Sequence, residues 1–309
     1  MKRLLATLLL SLAAVGAHAA ERLGPRAIWT WEEDSYAMLE EPAAATRAIA
    51  FLQSKSIDTV FLYADAFGGR NLIVSQPQLY RRLIRRLHAS GLKAYALLGS
   101  GYLRTERYVL PQHRKEALAM LQRVLDYNET AAPEERFDGI NVDIEPHILD
   151  EWSSRKMELL ADFVALSDAL MAAKRASGQA LPMGPAIPFW LDGLELEWKG
   201  QRKPVSQHVQ DLYEYVALMD YRDKAGGGDG IVSHAMDELK YAERIDRRVL
   251  IGVETLPNAI RKVSFHHLKE ADMERELGLT AREVGAMQAF GGFVIHHYGS
   301  YRKWLGLAP

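Results

Sequence analysis

The sequence predicts an α/β fold, a single-domain (β/α)8 TIM barrel, and three observations predict it. Apolar, β-rich runs alternate with helical patterns from Pro25 to the C-terminus. Eight such runs are legible, which suits a closed eightfold barrel better than an open doubly wound sheet. No linker, composition break or internal repeat divides the 309 residues, a length ordinary for such a barrel.

The chain opens on a different kind of segment. Lys2 and Arg3 precede the apolar run Leu4 to Val15, and Ala17-His18-Ala19 is a small-x-small cleavage site. That layout predicts a secretory signal peptide over 1–20 and a barrel over 21–309. The apolar run is too short to span a bilayer. The expectation is a periplasmic or secreted protein with no stable membrane insertion after cleavage.

The strands are expected at Arg26–Thr30, Thr59–Ala64, Leu92–Leu98, Phe137–Ile144, Leu181–Ile187, Tyr215–Tyr221, Arg248–Val253 and Gly292–His297. Strand–helix alternation implies that they pair in parallel. Between them, Leu79, Leu83, Ile84 and Leu87 share one helix face, and Gly91 marks its stop. Leu118, Leu121, Val124 and Leu125 repeat the pattern, and Trp152–Ala176 carries Leu159, Leu160, Phe163, Leu166 and Leu170. Thr280-Ala281-Arg282-Glu283 has capping-box spacing and is expected to open the last helix before strand eight.

Composition excludes several chemistries. There is no cysteine, so disulfides, thiolate catalysis and Cys-based zinc sites are impossible. The net charge of −2 argues against nucleic acid as a partner, and Arg81, Arg82, Arg85 and Arg86 read as a solvated helix face. The glycine-rich loop Ala225–Gly230 is followed by Ile231-Val232, not by the Lys-Ser or Lys-Thr of a phosphate cradle. No Gly-x-Ser-x-Gly elbow is present.

Strand four carries the densest signal, Asp138-Gly139-Ile140-Asn141-Val142-Asp143-Ile144-Glu145-Pro146-His147. Side chains alternate along a strand, so Asn141, Asp143 and Glu145 share the face opposite Ile140, Val142 and Ile144. In a barrel that polar set points inward toward the C-terminal mouth, where barrel active sites lie. Neighbouring carboxylates push each other's pKa values apart, which suits Glu145 to a general acid.

This segment resembles the Asp-Gly-x-Asp-x-Asp-x-Glu signature of family 18 glycoside hydrolases, the chitinase and endo-N-acetylglucosaminidase group. The resemblance implies Glu145 as the acid and Asp143 as the carboxylate steadying a substrate N-acetyl group. Met219-Asp220-Tyr221 is similar to the family's Met-x-Tyr-Asp, which would give Tyr221 the acetyl contact. Gly291-Gly292 at strand eight is similar as well. Asn141 stands where the family has an Asp, Arg222 follows Tyr221 where an Asp is expected, and His296 or His297 replaces the strand-eight Trp.

Glu254 ends strand seven, a position similar to the nucleophile of many retaining barrel glycosidases. A carboxyl about 5 Å from Glu145 permits double displacement and a wider gap favours inversion. A salt bridge to Arg222 is the competing expectation for Glu254. Trp31, Tyr63, Asp65, Trp190, Asp220, Arg222, His296 and Tyr298, with Asn141, are the candidate substrate contacts, because flat rings beside polar groups suit a saccharide. The expected function is hydrolysis of a glycosidic bond in a polysaccharide or glycan without a cofactor. The alternatives are a carbohydrate-binding barrel without catalysis and a metal-dependent hydrolase using Asp143, Glu145 and His147. Strand one lacks the His-x-His that opens many metal-dependent barrels, and no metal ligand is assigned.

Overall fold

The computed structural model describes residues 24–307, so the signal peptide expected over 1–20 lies outside the described residues. Ten strands appear in chain order: β1 (Arg26–Thr30), β2 (Thr59–Tyr63), β3 (Lys93–Leu98), β4 (Gly139–Val142), β5 (Met183–Pro188), β6 (Glu195–Trp198), β7 (Gln201–Pro204), β8 (Tyr215–Met219), β9 (Arg248–Glu254) and β10 (Phe290–His296). Eight of them close a barrel in the order β1-β2-β3-β4-β5-β8-β9-β10, with β10 returning to β1. Every neighbouring pair in that barrel is parallel. The predicted fold class is therefore the observed one.

Parallel strands in a barrel are covered on both faces, which is why these runs read as nearly continuous apolar sequence. β1 is buried along its whole length, and so are β4 and β5. The barrel's interior is filled by aromatic rings at its N-terminal end. Phe61 stacks on Tyr95 at 5.6 Å, and Tyr95 meets Tyr215 edge-on at 6.0 Å. Glycine opposite them makes the room: a Cβ on Gly139 would lie 2.5 Å from the Tyr95 ring.

The helices match their patterns with instructive differences. Gly91 ends the helix Pro77–Ala89 in a left-handed conformation at φ 75°, as a C-terminal stop requires. Trp152–Ala176 is helical as expected, with a kink at Arg155, whose backbone is non-helical at φ −127° and ψ 23°. Thr280, however, does not open a helix. It lies inside Glu270–Val284, where its hydroxyl donates to the Glu276 carbonyl at 3.0 Å. The Thr-x-x-Glu spacing fits a cap, but the apolar stripe through Met273 and Leu277 extends the helix a full two turns earlier.

Two other differences bear on the site. Strand four is shorter than expected and ends at Val142, so Asp143 to Glu145 sit just past the ladder. Two strands beyond the expected eight, β6 and β7, form an antiparallel hairpin after β5.

Candidate functional site

Two cavities open at the two ends of the barrel. The one at the N-terminal strand ends, about 330 Å³, is lined by residues such as Arg26, Asp58, Lys93 and Phe290. The other, about 400 Å³, is at the C-terminal ends and contains the strand-four carboxylates. Catalytic groups of barrel enzymes lie at the C-terminal face, so the second cavity is the candidate.

The strand-four acids reach it through local backbone chemistry. The Asp143 amide donates to the Leu98 carbonyl at 2.7 Å, carrying the β3 pairing one step past β4. Gly99 allows this approach. Its φ is 100°, and a Cβ there would lie 1.9 Å from the Asp143 carbonyl oxygen. Glu145 is extended at φ −108° and ψ 96°, the conformation a following proline favours, and Pro146 then opens a short 3-10 turn.

Asp143 and Glu145 both line the cavity, and the pKa of each is raised from its ordinary value, that of Asp143 well above it. For Asp143 burial is the main cause, followed by the negative charges of Glu145 and Glu32. For Glu145 burial dominates. The Asp143 Oδ1 is buried without a hydrogen-bond partner. His147 Nε2 lies 3.2 Å from Glu145 Oε2, and burial lowers the His147 pKa, so this imidazole tends to be neutral beside the acid.

Asn141 is fully buried one layer deeper and does not reach the cavity wall. Its carbonyl accepts from the Trp29 indole at 2.9 Å, and its amide donates to the Gly184 carbonyl at 3.1 Å and to the Tyr215 hydroxyl at 3.4 Å. A side chain that both accepts and donates is needed there, which a carboxylate is not.

Across the cavity stand Trp29, Trp31, Tyr221 and His296. The Trp31 indole donates to His296 Nε2 at 3.0 Å, so that nitrogen is an acceptor and the imidazole proton sits on Nδ1. Nδ1 in turn lies 2.9 Å from Glu254 Oε2. The other Glu254 oxygen accepts from the backbone amides of Thr255 and Leu256, both at 2.7 Å. Glu254 is thus fully occupied behind His296 and does not line the cavity. Its partner is not Arg222, which pairs with Asp229 at 2.8 Å and lies over the Phe189 ring. Burial raises the Tyr221 hydroxyl well above its ordinary range, with the charges of Glu254, Glu145 and Asp143 adding to it. It stays a protonated donor.

Several sequence candidates lie elsewhere. Trp190 packs edge-on against His147 at 5.3 Å, on the side of Glu145 away from the cavity. Tyr63 is fully buried and donates to the Ala66 carbonyl, and Asp65 Oδ1 accepts from Arg123 at 2.6 Å. Tyr298 is buried against Phe51. Asp220 is wholly buried with both oxygens unpartnered, and burial raises its pKa to about 8. None of these five lines the cavity.

Other wall residues were not candidates from the sequence. Glu32 begins the helix Glu32–Glu40 directly after Trp31, and Ser100 Oγ donates to its Oε1. Tyr102 stands at the rim, 57% exposed. The available signals were position alone: an acid two residues past strand one, and an aromatic directly after Gly99-Ser100-Gly101 past strand three. Among the described residues no three His, Asp or Glu side chains gather as a metal site, so Asp143, Glu145 and His147 do not form that triad. No helix among the described residues is long and apolar enough to cross a membrane.

No family model matches the chain, and no curated protein matches it in sequence. Solved structures do match in fold. A GH18 chitinase of Cycas revoluta in complex with (GlcNAc)3 shares 13% identity at a TM-score of 0.53, over 89% of this chain and 95% of its own. A mutant of catalytic domain 2 of a Group II chitinase from Ostrinia furnacalis gives 12% identity and a TM-score of 0.53, over 93% of each chain. An exo-β-1,4-mannosidase from Opitutaceae bacterium strain TAV5 gives 14% and 0.55, over 89% of this chain and 52% of its own. At these identities the likeness is one of fold: a (β/α)8 barrel of the kind several glycoside hydrolase families use.

Proposed function

We propose that the chain hydrolyses a glycosidic bond in a polysaccharide or glycan, with Glu145 as general acid. The observation that carries this reading is the shared cavity of Asp143 and Glu145, whose walls are the rings of Trp29, Trp31, Tyr221 and His296. Burial raises the Glu145 carboxyl above its ordinary value, the direction that suits a group giving a proton to a departing sugar oxygen. The three barrels named above are called chitinases or a mannosidase, which agrees with carbohydrate as the substrate class.

Asp143 would hold or steady the reacting sugar, as the resemblance to family 18 implies, and the Tyr221 hydroxyl would position it. Glu254 is the weaker candidate for nucleophile, because both its oxygens are engaged and it lies outside the cavity. An acetamido group on the substrate is then the natural internal nucleophile. His147, 3.2 Å from Glu145, is placed to reset the acid's proton between turnovers.

The test is incubation with a panel of natural oligosaccharides, with products read by mass spectrometry. The expected result is cleavage that falls by at least about a hundredfold in Glu145→Gln. Equal cleavage by the variant removes Glu145 from the mechanism. Binding of the panel without cleavage by either protein supports the non-catalytic barrel instead.

A further inference from the structure

We infer that the cavity takes a sugar chain bearing at least one primary ammonium, a hexosamine unit without its acetyl group, with that ammonium against Glu32. The inference rests on the glycosidase reading and narrows its substrate class. It begins from the charge of the walls. Glu32, Asp143 and Glu145 all line the cavity, and no Lys or Arg among the described residues does. The one imidazole supplies no compensating donor: His296 Nε2 receives the Trp31 indole and Nδ1 faces Glu254.

Glu32 is the acid left over by the proposed chemistry. Its Oε1 accepts from Ser100 Oγ, and no lysine or arginine lines the cavity beside it. Asp143 Oδ1, buried in the same wall, has no partner at all. A uronate or sulfated chain would bring like charge to this wall and be repelled. A neutral chain would leave the excess charge uncompensated. An ammonium offers three donors to a carboxylate, and the aromatic rings of Trp31 and the exposed Tyr102, which line the same cavity, attract a cation as well.

The same arrangement gives a signature that simple contact would not. Asp143 faces Glu32 on the helix after β1, Glu145 past β4, Tyr221 past β8 and His296 at the end of β10. Burial first, and beyond it the neighbouring Glu145 and Glu32, raise its pKa and favour its protonated form. An ammonium placed among them stabilises the carboxylate form, so binding should release protons to the buffer.

The experiment is titration calorimetry on the Glu145→Gln protein, which keeps the ligand intact. The probes are a fully acetylated β-1,4-glucosamine pentamer, the same pentamer with about half its acetyl groups removed, and cellopentaose. The partly deacetylated pentamer should bind at least about tenfold more tightly than either other ligand. Its heat should depend on the buffer's ionisation enthalpy. Adding Glu32→Gln should abolish the preference and reduce the proton release, with thermal melting used to confirm that the variant is folded. Equal affinities, a preference that survives Glu32→Gln, or no binding of any probe would overturn the inference. Cleavage by the wild-type protein is read separately. Tight binding of the amine-bearing pentamer without cleavage keeps the ligand assignment and sinks the glycosidase reading. Cleavage and binding of the acetylated pentamer alone do the reverse.

Discussion

Asn141→Asp would restore the acid expected in the strand-four signature, and the structure makes that change costly. Asn141 is fully buried, and its amide nitrogen donates to the Gly184 carbonyl at 3.1 Å and the Tyr215 hydroxyl at 3.4 Å. An ionised Asp cannot donate, so the Gly184 carbonyl would face a carboxylate with no proton between them. Leaving buried polar groups unpaired costs about 1–3 kcal/mol each, so a loss of roughly 3 kcal/mol near pH 7 is expected. The sign with pH follows from burial, which raises the new carboxyl's pKa in the folded state above its unfolded value near 4. The folded protein then binds the extra proton, so the penalty is small below that unfolded value and grows as pH rises toward the folded one. A protonated Asp can still donate to Gly184 and accept the Trp29 indole. Urea denaturation of both proteins at about pH 4 and about pH 7 reads the difference directly. A variant as stable as the wild type near pH 7, or one equally destabilised at both pH values, refutes the reasoning.

The remaining predictions concern the site's supports. Gly99→Ala forces a Cβ against the Asp143 carbonyl at a φ of 100°; unfolding midpoints should show a loss of about 2 kcal/mol or more, and cleavage should fall with it. His296→Ala frees the Trp31 indole and unpairs Glu254, so KM for the oligosaccharide should rise at least about threefold, more than kcat changes. Unchanged steady-state kinetics would dismiss it as a positioning residue. Asp220 is wholly buried, and its pKa of about 8 lies above the unfolded value, so wild-type stability should decline as pH rises between about 4 and 8. Asp220→Asn removes that decline and should be more stable than the wild type at about pH 9, by several kcal/mol, in thermal melts. Identical pH profiles would contradict it.

The barrel was legible because parallel strands buried on both faces leave nearly continuous apolar runs, and each of the eight is present within two or three residues of its expected ends. The site was legible where alternation governs. Strand geometry alone placed Asn141, Asp143 and Glu145 on the inner side, and the two acids share one cavity. It was not legible where loops decide. Tyr63, Asp65 and Tyr298 end their strands as expected for mouth residues, yet each is drawn into packing or a salt bridge beneath the loops that follow. Trp190 and Glu32 exchange the roles their positions suggest. The ring turns behind Glu145 onto His147, while the acid at the head of a helix faces the cavity. The contact from Trp31 to His296 spans the chain from β1 to β10, and no local pattern encodes it. Thr280 shows the converse, a local cap signal overridden by a longer apolar stripe.

The central claim is that the carboxyl of Glu145 protonates the departing oxygen. An acid of that kind matters in proportion to how badly the leaving group needs a proton. The direct measurement is cleavage of glycosides whose leaving groups span a wide range of acidity, by wild type and by Glu145→Gln. The variant should lose at least about a hundredfold on a sugar leaving group and far less on an acidic phenol, which departs unaided. A loss of the same size on every leaving group, or none on any, would contradict the assignment.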